Sequence, residues 1–91
     1  MAQHLGLDGF PRKKEEDENI SLHIQTIFKT PAGKETLKYL RSITIEMVSG
    51  GSMSDAELRH LEGQRFIVAL IEKRIKNGEK ITNGRTSTKS N

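Results

Sequence analysis

The segment Thr30-Pro31-Ala32-Gly33 constrains the fold most, because it starts a helix and places a glycine inside that helix. The threonine hydroxyl can cap the helix, and the proline suits the first turn, where its missing N–H would have no intrahelical partner. Further along, Glu62-Gly63-Gln64-Arg65 again places a glycine within a helical stretch. Each glycine costs roughly 1 kcal/mol of helix stability relative to alanine. We therefore predict that Gly33 and Gly63 allow a second helix to approach closely.

The spacing of apolar residues predicts an all-α chain with three helices. Helix one covers 15–29 and begins with acidic residues, which suit the positive end of the helix dipole. Helix two covers 31–48. Helix three covers 55–76, because Ser54 and Glu57 form a capping-box pattern before it and Asn77-Gly78 is expected to stop it. Two glycines within 49–52 connect helices two and three, which we expect to form an antiparallel hairpin.

The packed part of the chain is small. Of its 91 residues, 33% are hydrophobic and 4% aromatic, and none is cysteine. Small cores are commonly supplemented by disulfides, metal ions or association, and the lack of cysteine excludes disulfides and thiolate metal sites. Association is therefore the expected supplement. We divide the chain into a flexible N-terminal arm (1–14), a three-helix domain (15–78) and a flexible basic C-terminal tail (79–91).

The N-terminal arm contains two glycines and a proline, which favour irregular structure over helix. Its apolar side chains, Leu5, Leu7 and Phe10, have two interpretations. They are incidental residues of a disordered terminus, which is the interpretation we favour, or they form a short peptide that docks on a neighbouring surface.

Helix three carries more apolar surface than a single neighbouring helix covers. One of its faces holds the candidate interface, and the adjacent face holds Gly63, Phe66, Ile67 and Leu70. The helix therefore lies between the other two helices, or it also meets another subunit. We expect the chain to self-associate or to dock on a larger partner. The candidate interface residues are Leu61, Val68, Ile71 and Ile75.

The sequence contains no pattern typical of an enzyme or a metal site. Its three histidines, His4, His23 and His60, have no partners at metal-ligand spacing, and none stands beside a serine or cysteine in a nucleophilic pair. Glutamates near arginines on the helices more simply form ion pairs. We therefore predict no enzymatic activity, no metal and no cofactor.

The formal charge of +3 supports a second hypothesis, nucleic-acid binding. The basic excess lies towards the C-terminus. Arg65 also has a competing interpretation that we favour, in which it reaches the C-terminal carbonyls of a neighbouring helix, or an acid on that helix, and fixes the crossing. No apolar run is long enough to span a bilayer, so we expect no membrane. The candidate nucleic-acid contacts are Arg59, Arg65, Lys73, Arg74 and Lys76, together with the tail.

Several short motifs together resemble those of a phage family. They are the run 27–34, the leucines Leu37 and Leu40, and Glu62-Gly63-Gln64-Arg65 ahead of apolar residues. In these motifs the chain is similar to the members of a small tailed-phage domain family, which is typified by the product of gene nineteen of a Bordetella podovirus. Family members usually carry arginine at the positions of Lys34 and Gln64. The resemblance implies a protein of the virion-assembly gene set, located in the host cytoplasm or incorporated in the virion, and it implies no activity, cofactor or catalytic residue.

Overall fold

A computed structural model of the chain describes residues 4–46 and 53–89, with side chains as far as residue 84. It contains three helices, α1 (Lys14–Phe28), α2 (Pro31–Ser42) and α3 (Asp55–Lys89). The described ranges contain no strand, so the predicted all-α class is confirmed. The molecule is flat and elongated, measuring 57 × 41 × 16 Å. No helix within the described part is long and apolar enough to cross a membrane.

The helix starts lie where local signals in the sequence predict them. The Thr30 hydroxyl accepts a hydrogen bond of 2.9 Å from the Gly33 N–H, and Pro31 occupies the first turn of α2. The Ser54 hydroxyl accepts the Glu57 N–H at 3.1 Å and caps α3. Helix α1 differs from the predicted range 15–29 by one residue at each end.

The predicted end of helix two at residue 48 is wrong, because α2 ends at Ser42 and a turn follows over 43–46. The β-branched residues of this turn lose side-chain freedom in a helix. Thr44 is buried, and its hydroxyl donates to the Leu40 carbonyl at 2.6 Å. The predicted glycine connection at 49–52 lies outside the described residues.

The predicted stop of helix three at Asn77-Gly78 is also wrong, since α3 continues to Lys89. Gly78 is buried against α1, where an added Cβ would lie 2.6 Å from the Cβ of Gln25 and 2.7 Å from the Ser21 carbonyl oxygen. The Asn77 amide donates to the Ser21 hydroxyl at 2.9 Å. Both residues therefore serve helix packing instead of helix termination. The domain boundary at residue 78 and the flexibility of the tail stay predictions.

Helix α3 contacts α1 and α2 on different faces. Its contacts with α1 advance in the same direction along both helices, from Asp17 beside Arg74 to Gln25 beside Gly78. Its contacts with α2 run in opposite directions, as expected for an antiparallel pair. Here Arg41 meets Glu72, and the turn after α2 meets α3 nearer its start.

The hydrophobic core is very small. Among the described residues, the buried apolar side chains are Leu61 and Val68, which are 5% and 4% exposed. Four polar or charged residues are buried as well: Asp17, Ser21, Thr44 and Arg74. Polar contacts between elements therefore carry much of the packing.

The described part of the N-terminal arm forms a compact turn over residues 4–12. An isolated bridge pairs Leu5 with Pro11, and Gly9 adopts a φ of 84°, which favours glycine. The Leu7 N–H donates to the Asp17 carboxylate at 3.1 Å and joins the arm to α1. This contact was not predicted from the sequence.

Candidate protein-binding site

An apolar face near the start of α3 is left uncovered by the described chain. Phe66 is 58% exposed and Ile67 is 54% exposed. A Cβ added at Gly63 would find no heavy atom within 4 Å, and Leu70 is half-buried. Residues spaced in this way share one side of a helix. We call these four residues, Gly63, Phe66, Ile67 and Leu70, the Gly63 face.

The Gly63 face continues along α3 into a region that α1 covers. Arg74, Asn77 and Gly78 follow it at helical spacing, and all three contact α1. The close approach of α1 occurs at a glycine, Gly78. One stripe of α3 is therefore covered by a helix in its later part and open in its earlier part.

The structure corrects the predicted interface. Leu61 and Val68 are buried within the single chain, and Ile71 and Ile75 are half-buried. Leu61 and Val68 share a side of α3 with Arg65, which contacts the turn after α2. These two side chains therefore belong to the core and are not available to a partner.

The two motif glycines have different surroundings. A Cβ at Gly33 would lie 2.6 Å from the Phe28 Cα and would also clash with the Ile27 carbonyl oxygen, so α2 can follow α1 tightly only with glycine there. Gly63 has no such neighbour within the described chain. The close helix approach predicted at Gly63 is therefore not found among the residues that the structure describes.

Arg65 joins α3 to the turn after α2. Its Nε donates to the Thr44 carbonyl at 3.0 Å, and its Nη1 lies 3.1 Å from the Glu62 carboxylate. The position of the guanidinium corresponds to the crossing role that we favoured over a nucleic-acid contact.

Arg74 is the centre of a buried polar cluster. It is 2% exposed, and its Nη1 donates to the Asp17 carboxylate at 2.6 Å and to the Ser21 hydroxyl at 3.0 Å. The same nitrogen lies 3.0 Å from the Asp17 carbonyl oxygen, and Nη2 lies 3.6 Å from the Asp8 carboxylate. The prediction that Arg74 contacts nucleic acid is wrong, because the side chain is enclosed by α1 and the arm.

Asp8 extends this cluster into the arm. Arg12 donates from Nε to the Asp8 carboxylate at 2.8 Å, and the Phe10 N–H donates at 3.1 Å. These two hydrogen bonds, together with the charges of Arg12 and Arg74, lower the pKa of Asp8. The hydrogen bond to Asp8 in turn raises the pKa of Arg12.

A family model described as "Bbp19-like phage protein" matches residues 24–83, which is more than half of the chain. The chain belongs to the Bbp19-like phage proteins. The comparisons with curated proteins and with solved structures found no match. Membership confirms the predicted resemblance and shows that this is a phage protein. The matched range contains the Gly63 face and Arg74, whereas the arm of this Bbp19-like protein lies outside it.

The other predicted residues of this Bbp19-like protein lie at its surface. Arg59, Lys73 and Lys76 are exposed, and so are all three histidines. His60 lies beside Gln64, with 3.2 Å between their Nε2 atoms. Within the described ranges, no three acidic or histidine side chains are grouped as a metal ion requires.

Proposed function

We propose that this Bbp19-like protein is a non-enzymatic, minor structural or assembly component of the phage particle that binds another particle protein through the Gly63 face. The observation that carries the proposal is the exposure of two adjacent large apolar side chains, Phe66 and Ile67, beside the open backbone of Gly63. Exposed apolar surface of this kind marks sites where another protein binds.

The expected partner element is a helix. Helix α1 crosses α3 where Gly78 lets the two backbones approach, and Gly63 offers the same feature on the same side of α3. A helix that crosses at Gly63 would cover Phe66 and Ile67. Complete burial of each side chain contributes roughly 1.5–3 kcal/mol, so two of them supply useful affinity before the costs of association.

The experiment is quantitative mass spectrometry of purified phage particles that carry Phe66→Lys together with Ile67→Lys. We expect the wild-type chain in particles and a loss of roughly tenfold or more for the double variant, because a buried lysine lacks a partner. The matched control is Leu58→Lys with Ala69→Lys, which adds the same charge to another exposed side of α3. The control should enter particles at the wild-type level.

Absence of the wild-type chain from particles and from their assembly intermediates would contradict the proposal. Equal losses in both double variants would show an effect of added charge and would also contradict it. Light scattering of the purified chain shows whether the Gly63 face binds another particle protein or a second copy of this chain. If the wild type is a dimer and only the Phe66 and Ile67 variant is a monomer, the partner is a second copy of this chain.

A further inference from the structure

A groove lies between the N-terminal arm and α3, further along α3 than the Gly63 face. It measures about 350 Å³. Three exposed lysines, at positions i, i+3 and i+7 of α3, lie along it. The residues that line this lysine groove are Leu7, Lys73, Lys76, Asn77 and Lys80.

The lysines of this groove are not used inside the described chain. Each of four arginines, Arg12, Arg41, Arg65 and Arg74, has a carboxylate partner within 4 Å. The three lysines form no ion pair with any described residue, and no carboxylate is among the residues that line the groove. Their charges are therefore available to an external anion.

We propose that the lysine groove binds the phosphate backbone of duplex DNA. Seven residues of helix separate Lys73 from Lys80, which is about 10 Å along the axis at 1.5 Å per residue. Phosphates of one DNA strand advance about 3.4 Å each along the duplex, so this row of lysines spans about three of them. No aromatic ring lines the groove, and binding of single strands uses such rings to stack the bases.

This assignment changes the set of residues expected from charge alone. Arg74 leaves the set of expected DNA contacts, because its side chain is enclosed in the cluster with Asp17. Lys80 joins the set, because it lines the groove. Arg65 also leaves the set, because its side chain donates to the Thr44 carbonyl in the turn after α2. Lys73 and Lys76 keep their expected role.

The test measures fluorescence anisotropy of a short labelled duplex over roughly 50 to 200 mM salt. For the wild-type chain we expect the logarithm of the binding constant to fall with the logarithm of salt at a slope of about −2.7, which corresponds to three phosphate contacts. The triple variant Lys73→Gln, Lys76→Gln, Lys80→Gln should bind roughly tenfold or more weakly, with a slope near zero. Circular dichroism checks that it is folded.

The matched control is Lys29→Gln, Lys34→Gln, Lys38→Gln, which removes the same charge from exposed positions outside the groove. It should bind within about twofold of wild type. Equal weakening in both triple variants would overturn the proposal, and so would the absence of wild-type binding at the lowest salt. Tighter binding of a single strand, or equally effective displacement by polyglutamate, would also overturn it.

A second measurement uses the unmodified chain. An amine-reactive reagent applied with and without duplex should show protection of Lys73, Lys76 and Lys80, with Lys34 and Lys38 unprotected. Uniform protection, or none, would contradict a site in the groove. Neither measurement depends on the Gly63 face, so the two proposals can fail separately.

Discussion

At the scale of single residues, the feature with the greatest consequence is a charged side chain in the interior. Arg74 touches the arm and α1 from its place on α3, and no buried side-chain nitrogen or oxygen in the described ranges lacks a hydrogen-bond partner. A buried ion pair contributes little net stability, because both charges lose their hydration. Removal of only one member of the pair is costly, because the other charge then stays buried without a partner.

Arg74→Met should therefore destabilise the fold by about 3–5 kcal/mol, because the Asp17 carboxylate loses its cation. Urea unfolding followed by circular dichroism measures the change. Lys73→Met, at the exposed neighbouring position, is the control and should alter the free energy of unfolding by less than about 0.5 kcal/mol. A variant at Arg74 as stable as this control would show that the cluster is unimportant for folding.

The lowered pKa of Asp8 makes the attachment of the arm depend on pH. Ionised Asp8 accepts hydrogen bonds from Arg12 and Phe10, so its contribution to stability is complete above the ordinary aspartate pKa of 3.8, which applies to the unfolded chain. That contribution is lost as the pH falls through the lower pKa of the folded state. The melting midpoints of wild type and Asp8→Asn should differ at neutral pH and converge in acid. A difference that is independent of pH would contradict this account.

The residue scale also shows what the sequence can predict. Thr30 caps α2 and Ser54 caps α3 because capping depends on neighbours within one turn. The burial of Arg74 carries no such local signal, since its partner Asp17 is 57 positions away and any basic residue on a helix is more often exposed. For the same reason, charge alone placed Arg74 among the nucleic-acid contacts.

At the scale of elements, helix ends were harder to predict than helix starts. Asn77-Gly78 is a common stop signal, but α3 passes through it because Gly78 packs against α1. The end of α2 depends on Thr44, whose carbonyl accepts a hydrogen bond from Arg65 of α3. Both outcomes depend on tertiary contacts, which a local pattern does not contain. The apolar faces of α3 were identified from spacing, but which of them remains uncovered was not.

Gly63 and Gly78, both within α3, predict opposite effects of the same substitution. Gly63→Ala should stabilise the monomer by up to about 1 kcal/mol, because alanine favours helix and the added Cβ meets open space. Gly78→Ala should destabilise it by about 1–3 kcal/mol, because the Cβ would overlap Gln25 and Ser21. Thermal melting of both variants measures this. Equal shifts in the two would contradict the described packing of α1 on α3.

At the scale of the whole molecule, the short dimension of 16 Å limits how many side chains the fold can bury. A helix with its side chains is about 10–12 Å across, so the fold has little depth in which to enclose side chains. This explains why Leu61 and Val68 are the buried apolar residues of the described chain. It also gives each contact between elements, including those of the arm, a large share of the total stability.

Deletion of residues 1–13 should therefore lower the free energy of unfolding by about 1–3 kcal/mol. The deletion removes the hydrogen bond from Leu7 to Asp17 and the carboxylate of Asp8 beside Arg74. Chemical unfolding of the shortened and full-length chains measures the loss. Leu5→Ser is the control, because Leu5 is 62% exposed and its replacement should have little effect. An unchanged midpoint after deletion would mean that the arm adds no stability.

The ion pair between Asp17 and Arg74 also affects how the chain reaches its native state. The contact between α1 and α2 forms from residues that are neighbours in sequence, whereas the ion pair closes a loop of 57 positions. Contacts between distant residues slow folding because closing a long loop costs entropy. Docking of α3 should therefore be the late step. During synthesis on the ribosome, Asp17 emerges well before its cation, so the acidic start of α1 remains hydrated until α3 has been made.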